Sequence, residues 1–242
     1  MTTSSRTLRS AIAALALLIP VAVAAAPATA APRDPVVYDA LGDSYGSGYG
    51  VPPYSATCGR SEAAYAVQID GRMRIDLDDF AACAGATTTS MLASQLGALD
   101  ADTDLVTVSI GGNDIGWGTV VGACVAAGDA PCAGALAATT GVITTALPAV
   151  LDATYAQIAA AAPDAHVVVT GYPRLFSPEY GAYLNASPAE QHAMNEGADL
   201  LNSVIADAAA EYGFQFVDVT SRFVGHGVNA PEPWVLGLSD PG

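Results

Sequence analysis

The stretch Pro35-Val36-Val37-Tyr38-Asp39-Ala40-Leu41-Gly42-Asp43-Ser44-Tyr45-Gly46 decides how this chain folds. Its first seven residues form a short β-rich run that ends at Gly42, and Ser44 follows at once between two glycines. A serine on a tight strand-to-helix turn exposes its hydroxyl at the carboxyl end of a sheet, where open α/β folds bind ligands. Further runs of the same kind recur downstream: Leu105 to Ile110 before Gly111-Gly112, His166 to Thr170 before Gly171, and Phe214 to Val219 after Gly213. A weaker strand is expected between Asp79 and Cys83. Valine-rich runs bounded by glycine and alternating with helical stretches indicate a parallel sheet covered on both faces, in one α/β domain.

The helices carry their own signals. Ser187-Pro188-Ala189-Glu190 is a capping box with proline at the first helical position, opening a helix to about Tyr212 with Gly213 as its stop. Residues 61–72 and 133–162 also read as helical, with Gly141 or Pro148 bending or dividing the second.

Composition bounds the function. The chain is 52% hydrophobic and only 13% charged, as a globular protein is. Arg6 and Arg9, the uncharged run Ala11 to Ala26, and Ala28-Thr29-Ala30 together read as a secretory signal peptide over residues 1–30. Residues 31–242 are then the exported domain, soluble and extracellular, with no stretch long and apolar enough for stable membrane insertion. All 24 acidic residues and only six of the eight arginines lie in that part, and the chain has no lysine. Such a surface repels nucleic acid and anionic membranes. Oligomeric state has no sequence signal, and a monomer is the expectation.

Four cysteines behind a signal peptide suggest two disulfides. Three pairings are possible, and proximity along the chain favours Cys124 with Cys132 and Cys58 with Cys83. A zinc site ranks far lower, because no C-x-x-C pair and no nearby histidine is present. Asp100-Ala101-Asp102-Thr103-Asp104 imitates a calcium loop but has Leu105 where glycine is required, so no metal and no cofactor is expected. Asn185-Ala186-Ser187 is a glycosylation sequon whose serine already reads as a helix cap. Trp117 and Trp234 are equally compatible with a pocket wall and with ordinary packing.

Three glycine-bearing turns carry the chemistry. Gly42-Asp43-Ser44-Tyr45-Gly46 also satisfies G-x-S-x-G, the nucleophile elbow of α/β-hydrolases, but too few residues precede Ser44 for that fold. Gly111-Gly112-Asn113-Asp114 follows the third strand and can aim the Asn113 amide at the rim that holds Ser44. Cys83-Ala84-Gly85-Ala86-Thr87-Thr88 follows the second strand, and Gly85 can present its N–H to the same point. Acyl transfer needs such donors where charge develops on the carbonyl oxygen.

In these residues the chain resembles the GDSL, or SGNH, hydrolases, and in particular their secreted actinobacterial esterase and lipase branch. Gly171-Tyr172-Pro173 and Phe223-Val224-Gly225-His226-Gly227, followed by Pro233-Trp234, are similar too. The resemblance implies a flavodoxin-like three-layer α/β/α sandwich with a five-stranded parallel sheet, and metal-independent hydrolysis of a small-molecule or lipid ester through an acyl-enzyme. It implies Ser44 as nucleophile, and the Ser44 N–H, Gly85 N–H and Asn113 side chain as oxyanion donors; both favoured disulfides fit its pattern. The family's histidine block, often written D-x-x-H, and its last helix have no counterpart before Ser239-Asp240-Pro241-Gly242. Low turnover of the 242-residue form is therefore expected, and a binding or scaffold protein without turnover is the alternative.

A serine hydroxyl needs a base, and each of the three histidines can be placed by its surroundings. His166 begins a strand and so belongs at the wrong end of the sheet. His192 points away from the Leu201 and Ile205 stripe of its helix. His226 lies on the correct rim, but the resemblance gives it a structural role, so the general base is unknown.

Overall fold

The computed structural model describes Met1 and residues 34–237 except 56 and 128. The signal-peptide expectation lies, Met1 apart, outside the described residues, as do the last five residues. Five strands are present: β1 (Val36–Gly42), β2 (Ile75–Phe80), β3 (Leu105–Ser109), β4 (His166–Thr170) and β5 (Gln215–Val217). They form one parallel sheet in the order β2-β1-β3-β4-β5. The helices are α1 (Ser44–Ser47), α2 (Tyr65–Ile69), α3 (Thr88–Ser94), α4 (Trp117–Gly122), α5 (Asp129–Thr145), α6 (Leu147–Ala161) and α7 (Pro188–Glu211).

This strand order is the flavodoxin-like one, and it has a consequence for the site. The chain runs from β1 out to β2 at the edge and then returns past β1 to β3. The direction of winding thus reverses between β1 and β3, which leaves a crevice at their carboxyl ends. Alternation along the strands fills both faces. Leu41, Val106, Val108, Val167 and Val169 enter the main core with Met91 of α3, Ile143 of α5, Leu151 and Ile158 of α6, and Leu201 and Ile205 of α7. Tyr38 and Ala40 point to the other face, against Ala66 of α2. A smaller core beneath the loops joins Val120, Cys124, Cys132, Phe176 and Met194.

Three boundaries differ from the sequence reading. The second strand lies at Ile75–Phe80 rather than 79–83. Its outward positions are aspartates, which hide the β pattern but suit an edge strand, where charge discourages pairing with another chain. Only Tyr65–Ile69 is helical within 61–72, because Asp70 already leaves the helical region and Gly71 turns the chain. The helix expected over 133–162 starts earlier and is two helices that break at Ala146, just before Pro148, with Gly141 inside the first. At α7 the Ser187 side chain accepts from the Glu190 N–H while the Glu190 carboxylate accepts from the Ser187 N–H, which closes the expected capping box. Among the described residues no single helix is long and apolar enough to cross a membrane.

Candidate active site

Gly42 ends β1 opposite Ser109, at φ +135°. A Cβ there would lie 2.5 Å from the Ser109 carbonyl oxygen, so only glycine lets the two strands stay paired while the chain turns. Buried Gln95 clamps the same peptide, with its Oε1 accepting from the Gly42 N–H (2.8 Å) and its Nε2 donating to the Gly42 carbonyl (2.9 Å). Asp43 caps α1 and accepts from the Tyr45 N–H. Ser44 is the first residue of α1, half-buried, and its hydroxyl has no hydrogen-bond partner among the described residues.

Asp43 organises the turn from below. It is 1% exposed, and its Oδ2 accepts from the Tyr172 hydroxyl at 2.6 Å, while Ser109 Oγ approaches Oδ1 at 3.4 Å. Burial pushes its carboxyl up to about 6, and the bonds from Tyr172 and the Tyr45 amide oppose that rise. Burial together with the Asp43 charge holds the Tyr172 hydroxyl protonated well above the ordinary tyrosine range. The same hydroxyl oxygen accepts from the Gly112 N–H at 3.0 Å. Tyr172 therefore ties the turn after β1 to the turn after β3. Its own backbone is fixed by Asn202 of α7, which accepts from the Tyr172 N–H and donates to its carbonyl, both at 2.8 Å.

The second and third turns are stitched to each other. Asp114 accepts from the Thr88 N–H and, at 2.6 Å, from the Thr88 hydroxyl. Asn113 Nδ2 donates to the Ala86 carbonyl at 2.9 Å. An amide NH₂ has two hydrogens, so one remains for another acceptor. The Ser44 and Gly85 amides donate to no acceptor among the described residues. Ser44 and Asn113 line one cavity of about 190 Å³, with Asp43, Tyr45, Trp117 and Tyr172 and, from α7, Ala198 and Leu201. Gly85 is not on that wall; it reaches the site's edge through the bond between Asn113 and its neighbour Ala86.

The histidines lie elsewhere. His166 is exposed at the start of β4 and pairs with Gln215 Oε1 at 2.9 Å. His192 is exposed on α7, in a second and more polar cavity. His226 stacks on Trp234, with ring centroids 3.9 Å apart, and its Nδ1 lies 2.8 Å from the Glu232 carbonyl oxygen, so it pins a loop. None of the three lines the cavity beside Ser44. Trp117 is a cavity wall; Trp234 packs on His226 and Phe223.

Disulfides join Cys58 to Cys83 and Cys124 to Cys132, the pairs nearest along the chain. Among the described residues one acidic group, Asp39, Asp78 and Asp79, is close enough to share an ion. It lies on β1 and β2, and Asp39 is already held by the Asp79 N–H and the Thr103 hydroxyl. Sequence reasoning named Tyr172 only as part of a turn and missed Asn202 and Gln95. Their contacts span from 30 to 129 residues, and the one available hint was that a carboxylate beside a buried turn needs donors.

At the crevice of the 2-1-3-4-5 sheet, Ser44 and Asn113, from the turns after β1 and β3, thus share one cavity wall, an arrangement suited to an α/β hydrolase. The model of the GDSL-like Lipase/Acylhydrolase family matches residues 40–242, and the chain belongs to that family. It is 38% identical over 240 residues to a lipase of Streptomyces rimosus, covering 96% of this chain and 90% of that one. It is 39% identical over 206 residues to Lipase 1 of Streptomyces coelicolor, covering 84% and 76%. Among solved structures, the extracellular lipase of Streptomyces rimosus superposes with a TM-score of 0.81 at 37% identity, over 85% of this chain and 89% of the other. Phospholipase A1 of Streptomyces albidoflavus gives 0.81 at 36%, over 86% and 89%.

Proposed function

We propose that this protein is a secreted carboxylic ester hydrolase in which Ser44 is the nucleophile. The observation that carries the reading is the meeting, on one cavity wall at the switch point of the sheet, of a serine hydroxyl without a partner among the described residues and a spare Asn113 amide hydrogen. Ser44 Oγ attacks the ester carbonyl carbon, and the carbonyl oxygen takes up negative charge. The Ser44 N–H, the Gly85 N–H and the Asn113 Nδ2 supply donors for that oxygen, a role in which one donor is worth about 3 kcal/mol. The alcohol then leaves with a proton, and water cleaves the acyl-enzyme to free acid and regenerated serine.

Asp43 is the carboxylate on the cavity wall, but its oxygens already accept from Tyr45, Ser109 and Tyr172. It positions the turn rather than taking the serine proton. The base is assigned to none of His166, His192 and His226. The relatives named as lipases favour turnover over a scaffold role, and the extracellular lipase among them supports export, with residues 1–30 as the signal peptide and a monomeric domain from residue 31. Hydrolysis of 4-nitrophenyl butyrate by the chain is the test. Labelling of Ser44 by an organophosphonate probe and loss of any turnover in Ser44→Ala are expected; a parent that takes no label at Ser44 and hydrolyses the ester no faster than Ser44→Ala overturns the assignment. Size-exclusion chromatography with light scattering tests the monomer.

A further inference from the structure

Beside Ser44 runs a segment unlike the rest of this acidic protein. No charged residue occurs from Ser44 to Gly59. Within it Tyr49 is 63% exposed, Val51 47% and Tyr54 41%, and Pro52 and Pro53 are exposed between them. The first charge beyond it, Arg60, is folded inward, with its guanidinium donating to the Ala81 and Ala82 carbonyls and lying over the Phe80 ring.

The strip is held in shape rather than loose. Tyr49 and Tyr54 stack with centroids 5.9 Å apart, and the Tyr54 hydroxyl accepts from the Gly50 N–H. The loop is closed by a bridge between Tyr54 and Ser61, by the Ser61 N–H on the Ser47 carbonyl, and by the Cys58–Cys83 disulfide. The Tyr49 ring lies so close over Gly59 that a Cβ there would sit 2.4 Å from it, and that Cβ would be 3.4 Å from Ala84, the residue before Gly85. The strip thus spans from the Ser44 turn to the Gly85 turn.

We propose that Tyr49, Val51 and Tyr54 form a docking face for a lipid–water interface with uncharged or zwitterionic headgroups. Contiguous exposed apolar surface marks interaction sites, and tyrosine, with an apolar ring and a polar tip, favours the headgroup level of a bilayer. Charge selects among surfaces. A protein with a net charge of −16 is repelled by anionic lipid, and a strip that has no charge of its own and one exposed carboxylate, Glu62, at its edge meets that penalty least. Docking by this face brings the Ser44 cavity to the interface where water-insoluble esters reside. Its purpose rests on the ester-hydrolase reading, but the docking itself does not depend on turnover.

Co-sedimentation of the Ser44→Ala chain with vesicles of phosphatidylcholine, and separately with phosphatidylglycerol added, tests this without hydrolysis. Binding to the zwitterionic vesicles that falls as phosphatidylglycerol is added is expected. Tyr49→Ser should weaken that binding on the order of ten-fold, Val51→Ser should weaken it less, and Tyr49→Trp should retain it. In the Ser44-containing chain, Tyr49→Ser and Val51→Ser should leave hydrolysis of a soluble monomeric ester within about two-fold of the parent. Binding that is absent, that rises with phosphatidylglycerol, or that is unchanged in both serine variants overturns the proposal. So does a concentration-dependent dimer that disappears in Tyr49→Ser, since that would assign the face to a second copy. Failure of the Ser44 assignment would show instead as turnover in Ser44→Ala, with vesicle binding intact.

Discussion

Replacing Tyr172 by phenylalanine removes one oxygen that serves two partners, and the consequence depends on pH. The hydroxyl donates to Asp43 at 2.6 Å and accepts from the buried Gly112 N–H at 3.0 Å. A bond to an ionised group contributes about 1.5–3 kcal/mol, a neutral one about 0.5–1.5, and an orphaned buried donor costs about 1–3. Asp43 has its carboxyl raised from 3.8 to about 6. Because the folded value lies above the unfolded one, the native state holds the extra proton between about pH 4 and 6. The contribution of this group to stability is complete below that window and declines as pH rises through it. Loss of the Tyr172 bond raises the folded value further, so the decline continues to higher pH in the variant. At pH 4.5 the variant should lose about 2–3 kcal/mol, and at pH 8 about 1–2 kcal/mol more. Urea unfolding of parent and variant at both pH values measures this, and comparing variants cancels the general repulsion of an acidic chain. In an Asp43→Asn background the pH-dependent part should vanish. Equal losses at both pH values, or a pH-dependent difference that survives Asp43→Asn, would refute the bridge.

Other outcomes follow from the same geometry. Asn113→Ala should lower kcat by about 10²–10³ with little change in KM, measured on a soluble ester. Gly42→Ala drives a Cβ against the Ser109 carbonyl at a positive φ and should destabilise by at least about 3 kcal/mol, seen as a depressed Tm or failure to fold. Gln95→Ala orphans the buried Gly42 N–H and leaves the Gly42 carbonyl with the Cys83 N–H alone, and equilibrium unfolding should register about 1–3 kcal/mol. His226→Ala should leave the rate of ester hydrolysis unchanged and remove about 1 kcal/mol of stacking on Trp234; a collapse of turnover would make His226 the base after all.

Much of this was legible because the relevant signals are local. Val36 to Gly42, the glycine pair after β3 and the box at Ser187 each announce their element within a few residues, and parallel order then places the three turns on one rim. Ser44 and Asn113 line one cavity, whereas Gly85, which the sequence reading brings to the same point, lies outside its lining, next to Ala86 on which Asn113 is bonded. What escaped is long-range or disguised. The second strand hides its period behind Asp76, Asp78 and Asp79, and the Tyr172 bridge to Asp43 joins residues 129 apart. No spacing rule announces such a contact, because it exists only after β4 has docked beside β3.

The bond between Cys58 and Cys83 ends two residues before Gly85, whereas the sheet and its cores are assembled without it. Replacing both of these cysteines by serine should therefore keep the sheet while loosening the tie between the tyrosine strip and the Gly85 turn, which stays held through Asn113 and Asp114. The two bridges thus divide the labour: one fastens a surface loop beside the site, and the other, Cys124–Cys132, is built into a core.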